Sequence, residues 1–279
     1  MTQEEYLAQS LIALRRNEKS AEDDTKALLL LLLWRFRQSL LASLPDTGIG
    51  RAVVAQELLR AFTLELTAYS QQFLNVLLPV LERVDQEHPG RAAAFAGFTA
   101  TLRDYAPRTG QELLEGTRSG GQTLAALFTP VRGTTISPYV RAHLNAIKGK
   151  LDAAIMRGDP TIEIARGVVA QRTRRGFIQP INARGTLYSQ LRNRDTALIA
   201  NAIWDVSANS ERAIFERQQR RTASTEAPFA PRGWRWYATL DPATCPICRP
   251  LHGRTSDRFT GFPYIPPVHP RCRCRILPA

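Results

Sequence analysis

Apolar residues recur at intervals of three and four over most of the chain, which is the signature of amphipathic helices. From Thr2 to about Ala42 the pattern runs through Tyr6, Leu7, Leu11 and Leu14. It continues after an acidic turn through Leu28–Leu33, Trp34, Phe36, Leu40 and Leu41, and stops at Leu44-Pro45-Asp46-Thr47-Gly48. A second stripe, Leu58, Phe62, Leu66, Tyr69, Phe73, Leu77 and Leu81, predicts a helix from Arg51 to about Arg83. Pro89-Gly90, Pro107 and Gly120-Gly121 then predict short helices and loops between His88 and Thr129. Ser137-Pro138 reads as an N-cap followed by proline at the first helical position, opening a helix to about Arg157. Gly158-Asp159-Pro160-Thr161 ends that helix and starts a shorter one, to about Ala170. A long helix is predicted from Asn182 to about Arg221, carrying Leu187, Leu191, Leu198, Ile203, Trp204, Ile214 and Phe215. Only at Trp234–Leu240 does the content change to aromatic and β-branched, predicting a strand.

The expected class is therefore mainly α: an elongated helical N-terminal body and a small C-terminal α+β domain stapled by metal. The expected division is a body over 1–180, a long helix over 181–222, a linker over 223–233 rich in Ser, Thr, Pro and Gly, and a terminal domain over 234–279. With 279 residues and 44% hydrophobic content the chain can bury a real core. Its longest apolar run, Ala27–Trp34, is far short of the roughly 20 residues that span a bilayer, and reads as a buried helix turn. Glu4 and Glu5 precede any apolar run and no basic region leads one, so no signal peptide is expected and the default compartment is reducing cytoplasm.

Charge changes the picture by its distribution. The total of +12 divides into −2 over residues 1–100, +8 over 101–231 and +6 over 232–279. Basic charge in the later two thirds attracts a polyanion or an acidic protein face. The loop Gln171-Arg172-Thr173-Arg174-Arg175-Gly176 is its most compact instance, although no interleaved aromatics mark a base-stacking platform. No Walker or Gly-x-Gly-x-x-Gly loop occurs, which argues against ATP- or NAD-dependent chemistry. His88 and His143 stand alone in sequence and are expected at surface or capping positions.

All four cysteines lie in the last 46 residues, as Cys245-Pro-Ile-Cys248 and His269-Pro-Arg-Cys272-Arg-Cys274. The C-x-x-C spacing is that of a zinc knuckle, in which one tight turn aims two sulfurs at one ion. In an extended segment Cys272 and Cys274 point to one face, which places Arg271, Arg273 and Arg275 on the other. Two tetrahedral sets compete: the four cysteines, or a set in which His269 replaces Cys272 or Cys274. His269 could instead orient a ligand from outside the shell. A domain this small needs a staple. Structural zinc supplies roughly 10–16 kcal/mol of apparent binding energy. A disulfide is disfavoured in a reducing compartment. A thiol-disulfide enzyme would place C-x-x-C at a helix start, and catalytic zinc would require an open position and a nearby base. Asp241 and Asp257 are the only carboxylates of the terminal domain.

Trp236, Asp241, Thr244-Cys-Pro-Ile-Cys248, Leu251-His-Gly253 and Pro266-Pro-Val-His-Pro-Arg-Cys-Arg-Cys274 together resemble the C-terminal signature of the phage Mu F-like minor head proteins, a family of tailed-phage head morphogenesis proteins. The chain departs from that pattern at His252, where the family usually has aspartate. The resemblance implies a minor capsid component, within the virion and at the portal vertex inside the head. It would act in head assembly, DNA packaging or DNA delivery, with host cytoplasm as its place during assembly. The implied partners are portal or capsid proteins and packaged DNA, with no membrane and no small-molecule substrate. Arg172, Arg174, Arg175, Arg271, Arg273 and Arg275 are the candidates for contact with DNA or an acidic partner. The competing class is a zinc-supported nuclease or toxin-like enzyme using Asp241 with His252 or His269. A cellular zinc-ribbon regulator would need a recognition helix, and none is apparent.

Overall fold

The computed structural model describes residues 3–48, 50–96, 105–119, 121–168, 171–172, 178–179, 186–223, 233–240, 244–266, 268–269 and 272–279. It is mainly helical: α1 (Gln3–Ser43), α2 (Arg51–Ala96), α3 (Gly110–Gly116), α4 (Leu124–Phe128), α5 (Pro138–Met156), α6 (Thr161–Val168) and α7 (Leu187–Ala223). Strands β1 (Arg118–Ser119) with β2 (Gln122–Thr123), and β3 (Gln171–Arg172) with β4 (Ile178–Gln179), form two-stranded antiparallel pairs. The C-terminal part holds a three-stranded antiparallel sheet of β5 (Trp234–Tyr237), β6 (Thr255–Ser256) and β7 (Arg275–Pro278), in the order β6-β5-β7. The mainly α class with a small mixed terminal part is thus the class observed.

The predicted break at Pro89-Gly90 does not occur, since α2 continues through both residues to Ala96. Beyond Leu81 its inward positions are Val84, Asp85, His88, Ala92 and Ala93, all buried. Burial of this last segment outweighs the local cost of the proline and glycine. The run Ala27–Trp34 is also not a wholly buried turn: Leu29, Leu32 and Leu33 are buried, whereas Leu31 is 40% exposed. One face of the helix carries the core and the other meets solvent.

The chain forms two compact units, each assembled from separate stretches. One comprises Ala21–Leu77 and Ala125–Thr196. Its centre is aromatic: Phe36 against Phe62 at 4.4 Å between ring centroids, Phe73 against Phe128 at 5.7 Å, and Phe128 against Tyr139 at 4.5 Å. At the edge of this stack the buried Asp195 accepts from the hydroxyls of Tyr69 (2.6 Å) and Tyr139 (2.8 Å) and lies 3.0 Å from Nε2 of His143. His143 is therefore a buried structural residue and not a surface or capping one. Helix α5 starts as predicted, with Ser137 Oγ accepting from the Val140 amide and Pro138 in the first turn, and closes at Gly158 with φ of 73°. Ser137→Ala is expected to cost about 1 kcal/mol in the first turn of α5, read as an earlier urea midpoint with an unchanged slope.

The other unit comprises Met1–Ser20, Leu78–Leu124 and Ala197–Ala279. Its core runs without a break from Tyr6 of α1 and Ala92 and Ala93 of α2, through Ile214 and Phe215 of α7, to Trp234, Trp236, Ile276 and Leu277 of the sheet. Phe215 meets Trp234 edge-on at 6.0 Å, and Trp236 packs on Phe262 at 5.8 Å. The terminal sheet therefore shares the core of three helices.

Candidate metal centre

Two turns deliver the cysteines and the histidine. After β5, Thr239 Oγ1 donates to the Arg273 carbonyl at 3.2 Å, and Thr244 Oγ1 donates to the Thr239 carbonyl, which ties the two ligand-bearing stretches together. The knuckle closes with the Cys248 amide on Cys245 Sγ at 3.3 Å and the Arg249 amide on the Cys245 carbonyl at 3.1 Å. The second turn closes with the Cys272 amide on the His269 carbonyl at 3.0 Å. Gly253, at φ of 79°, lets the following chain turn back so that its amide bonds the Trp236 carbonyl at 2.8 Å. His252, in place of aspartate, pins this turn through Nδ1, which lies 3.2 Å from both the amide and the carbonyl of Ala238.

These turns bring all five candidate ligands into two overlapping groups. Cys245, Cys248 and His269 have ligand atoms within 4.8 Å of one another, as do Cys248, Cys272 and Cys274. Cys248 belongs to both: its Sγ is 3.4 Å from His269 Nε2 and 3.9 Å from Cys272 Sγ. Ligand atoms at tetrahedral angles, with bonds of about 2.3 Å to sulfur and about 2.0 Å to imidazole, stand about 3.6–3.8 Å apart. The two measured separations straddle that range, so a small cation fits beside Cys248 with little rearrangement. Cys248, Cys272 and Cys274 are buried and Cys245 is partly so; all four are free thiols.

Crowding divides the thiols into two kinds. Burial, together with Cys245 and the charge of Cys272, pushes Cys248 up to about 12. The Cys272 thiol and burial likewise raise Cys274. Cys272 is drawn down to about 5, first by the Cys274 hydrogen bond and then by backbone amides and His269, against burial. Burial opposes ionisation of Cys245 too, but hydrogen bonds from Cys248 and the Ile247 amide outweigh it and lower that thiol. Four thiolates cannot coexist here without a compensating positive charge, which is what a bound cation provides.

The arginine expectations meet a different outcome. Alternation does place Arg275 opposite Cys274, but that face is covered by α7. Arg275 is 5% exposed, pairs with Glu211, donates to Ser207 Oγ at 3.0 Å and stacks over Trp204 at 5.1 Å. It is therefore a core residue and no contact for DNA. Arg273 is half-buried beside the cluster. Arg172 lies in β3, opposite Ile178, while Arg174, Arg175 and Arg271 fall outside the described residues, as does Asp241.

Sequence reasoning passed over the polar groups that hold α7 against α2. His88, expected at the surface, is fully buried, with Nδ1 3.2 Å from Glu211 Oε1 and 3.0 Å from Ser207 Oγ. Burial holds its pKa below the usual 6.5. One turn earlier, Asp85 accepts from Arg108 (backbone amide at 2.6 Å, Nε at 3.0 Å), Tyr105 (2.8 Å) and Ser210 (2.6 Å). The available signal was a polar row on each helix, Asp85 and His88 on α2 and Ser207, Ser210 and Glu211 on α7, with members three and four residues apart.

The family model described as phage Mu protein F like protein matches residues 145–277, a span that contains α7, the terminal sheet and all five ligand candidates. Over that span, a little under half of the chain, the sequence is similar to the phage Mu F-like proteins. The match reaches well upstream of the cysteine signature, taking in the end of α5 and the whole of α6. No curated protein and no solved structure matches the chain. Among the described residues no helix is long and apolar enough to cross a membrane.

Proposed function

We propose that the protein is a minor component of a tailed-phage head, acting at the portal vertex in head morphogenesis and in the packaging or delivery of DNA, with a zinc ion as the structural staple of its C-terminal part. The observation that carries this reading is the family match over residues 145–277. The soft ligand set supports zinc, since thiolates with one imidazole suit it better than they suit magnesium or calcium. A structural role is supported by the recess at the cluster, lined by Thr239, Thr244, four of the ligand candidates and Arg273: no carboxylate lines it among the described residues.

The portal or a neighbouring capsid protein is the proposed partner, and Arg172, Arg174, Arg175, Arg271 and Arg273 are the proposed contacts with packaged DNA or an acidic face. The test is co-expression with the portal protein of the same phage, followed by co-purification and elemental analysis of the complex. One zinc per chain and a portal complex that survives gel filtration are expected. A chain that purifies free of the portal and is missing from assembled heads overturns the reading. For the arginines, replacing all five by glutamine is expected to flatten the salt dependence of DNA binding by roughly one unit of logarithmic slope per lost phosphate contact.

A further inference from the structure

The C-terminal part contains one four-residue pattern twice, Cys245-Pro-Ile-Cys248 and His269-Pro-Arg-Cys272, each with a candidate ligand at its first and last position and proline after the first. Both copies fold back on themselves. The carbonyl of the first residue accepts a backbone amide in each, from Arg249 at 3.1 Å in one and from Cys272 at 3.0 Å in the other. Amides also settle on one sulfur of each copy: those of Cys248 and Ile247 donate to Cys245 Sγ, and those of Val268 and Cys274 donate to Cys272 Sγ. Amides aimed at a sulfur orient it and support a thiolate, as the outer partners of metal ligands do. Cys248 joins the two copies, with Sγ 3.4 Å from His269 Nε2 and 3.9 Å from Cys272 Sγ.

Cys274 stands outside the repeated pattern. It directly precedes β7, between the Arg273 carbonyl that accepts from Thr239 and the pairing of Arg275 with Tyr237, and it is 5% exposed in the core of the terminal sheet. Its sulfur lies within 4.8 Å of those of Cys248 and Cys272. With Cys245, Cys248 and His269 it borders a recess of about 10 Å³, room for a single atom. His269 is placed differently: it is half-buried and also lines an open cleft of about 490 Å³ beside α7. A tetrahedral shell has four places, so five candidates leave one over. The residue left over is the one outside the repeat, and the ligand most easily withdrawn is the one that borders open space.

We propose that a single zinc ion is held by Cys245, Cys248, His269 and Cys272, and that Cys274 is a reserve ligand that completes a four-cysteine shell when His269 is withdrawn. On the zinc reading above, on which this rests, His269 and Cys274 are each dispensable alone. Without both, only three ligands remain.

The test is the zinc content of the full chain after gel filtration, with the absorption of the cobalt(II)-substituted protein reporting how many thiolates are bound. The wild-type chain and Cys274→Ala should each carry one zinc and share one cobalt spectrum, that of three thiolates and one imidazole. His269→Ala should keep its zinc, with thiolate-to-cobalt absorption stronger by about a third as a fourth sulfur joins three. His269→Ala combined with Cys274→Ala should lose the ion. His269→Cys combined with Cys274→Ala should hold it in a four-sulfur site, which separates the loss of a ligand from a failure to fold. A wild-type chain without zinc overturns the zinc reading itself. With zinc present in the wild type, its loss from Cys274→Ala, its loss from His269→Ala, or its retention when both are alanine each overturns the ligand assignment alone.

Discussion

Stripping the proposed zinc, with a chelator or by Cys248→Ser, is expected to abolish the near-ultraviolet dichroism of Trp234 and Trp236 and to open residues 244–274 to protease, while most of the helical signal survives. Cys248 is the choice because it belongs to both ligand groups and its neighbours stand at coordination distance. Structural zinc sites are worth about 10–16 kcal/mol of apparent binding energy, comparable to the whole stability of a domain. The two ligand-bearing turns are otherwise held by a few hydrogen bonds and by apolar contacts at Leu251 and Phe262. The helical signal should persist because the aromatic unit over Ala21–Leu77 and Ala125–Thr196 has its own core, to which the cysteines contribute nothing. Cys245→Ser, at the partly exposed end of the cluster, should cost less. A chelated protein with unchanged tryptophan dichroism would refute the staple.

The second large effect is expected at Glu211. It is 3% exposed at the side chain and paired with Arg275, itself 5% exposed. Burial alone would raise the Glu211 carboxyl, but the Arg275 guanidinium, followed by His88, holds it at about 2. Glu211→Ala leaves a buried guanidinium without its counter-charge and should cost about 3–5 kcal/mol. Changing both, Glu211→Leu with Arg275→Met, should recover much of that loss, because desolvation of the pair disappears with it. The pair also sets an acid limit. A carboxyl lower in the folded chain than its ordinary 4.5 contributes stability that is present above pH 4.5 and lost as pH falls towards 2, on the order of 3 kcal/mol. His88 acts in the same direction from a higher pH: its folded pKa lies below 6.5, so acidification through 6.5 favours the unfolded chain. Thermal midpoints from pH 7.5 to 3 should therefore fall in two stages, and His88→Gln should remove the upper one. A midpoint that is flat across this range excludes the network as a determinant of stability.

Much of the outline was legible along the chain. Leu66, Tyr69, Phe73 and Leu77 are buried where their spacing placed them, and Ser137-Pro138 and Gly158 bound α5 as their chemistry required. Each signal is local: a helical face or a cap is decided by residues within a turn or two. The continuation of α2 past Pro89-Gly90 was not legible, because the burial that holds it comes from other elements, among them α7 more than a hundred positions away.

The candidate site divides in the same way. That Cys245, Cys248, His269, Cys272 and Cys274 would converge follows from ligand type and spacing alone, since two short turns suffice to gather them. The fate of the alternating arginines did not follow. Strand geometry sends Arg275 to the face opposite Cys274, but whether that face meets water or a helix depends on where α7 lies.

By itself, then, the sequence determined the helical class, most helix starts and the gathering of the four cysteines with His269, all products of short-range geometry and of side-chain chemistry that no fold alters. The tertiary structure alone decided that the terminal sheet shares its core with α1, α2 and α7, and that Glu211 and His88 are buried partners. It likewise decided that Arg275 belongs to the interior. Burial and charge pairing are properties of neighbours brought together from distant parts of the chain, and no periodicity encodes which neighbours those are.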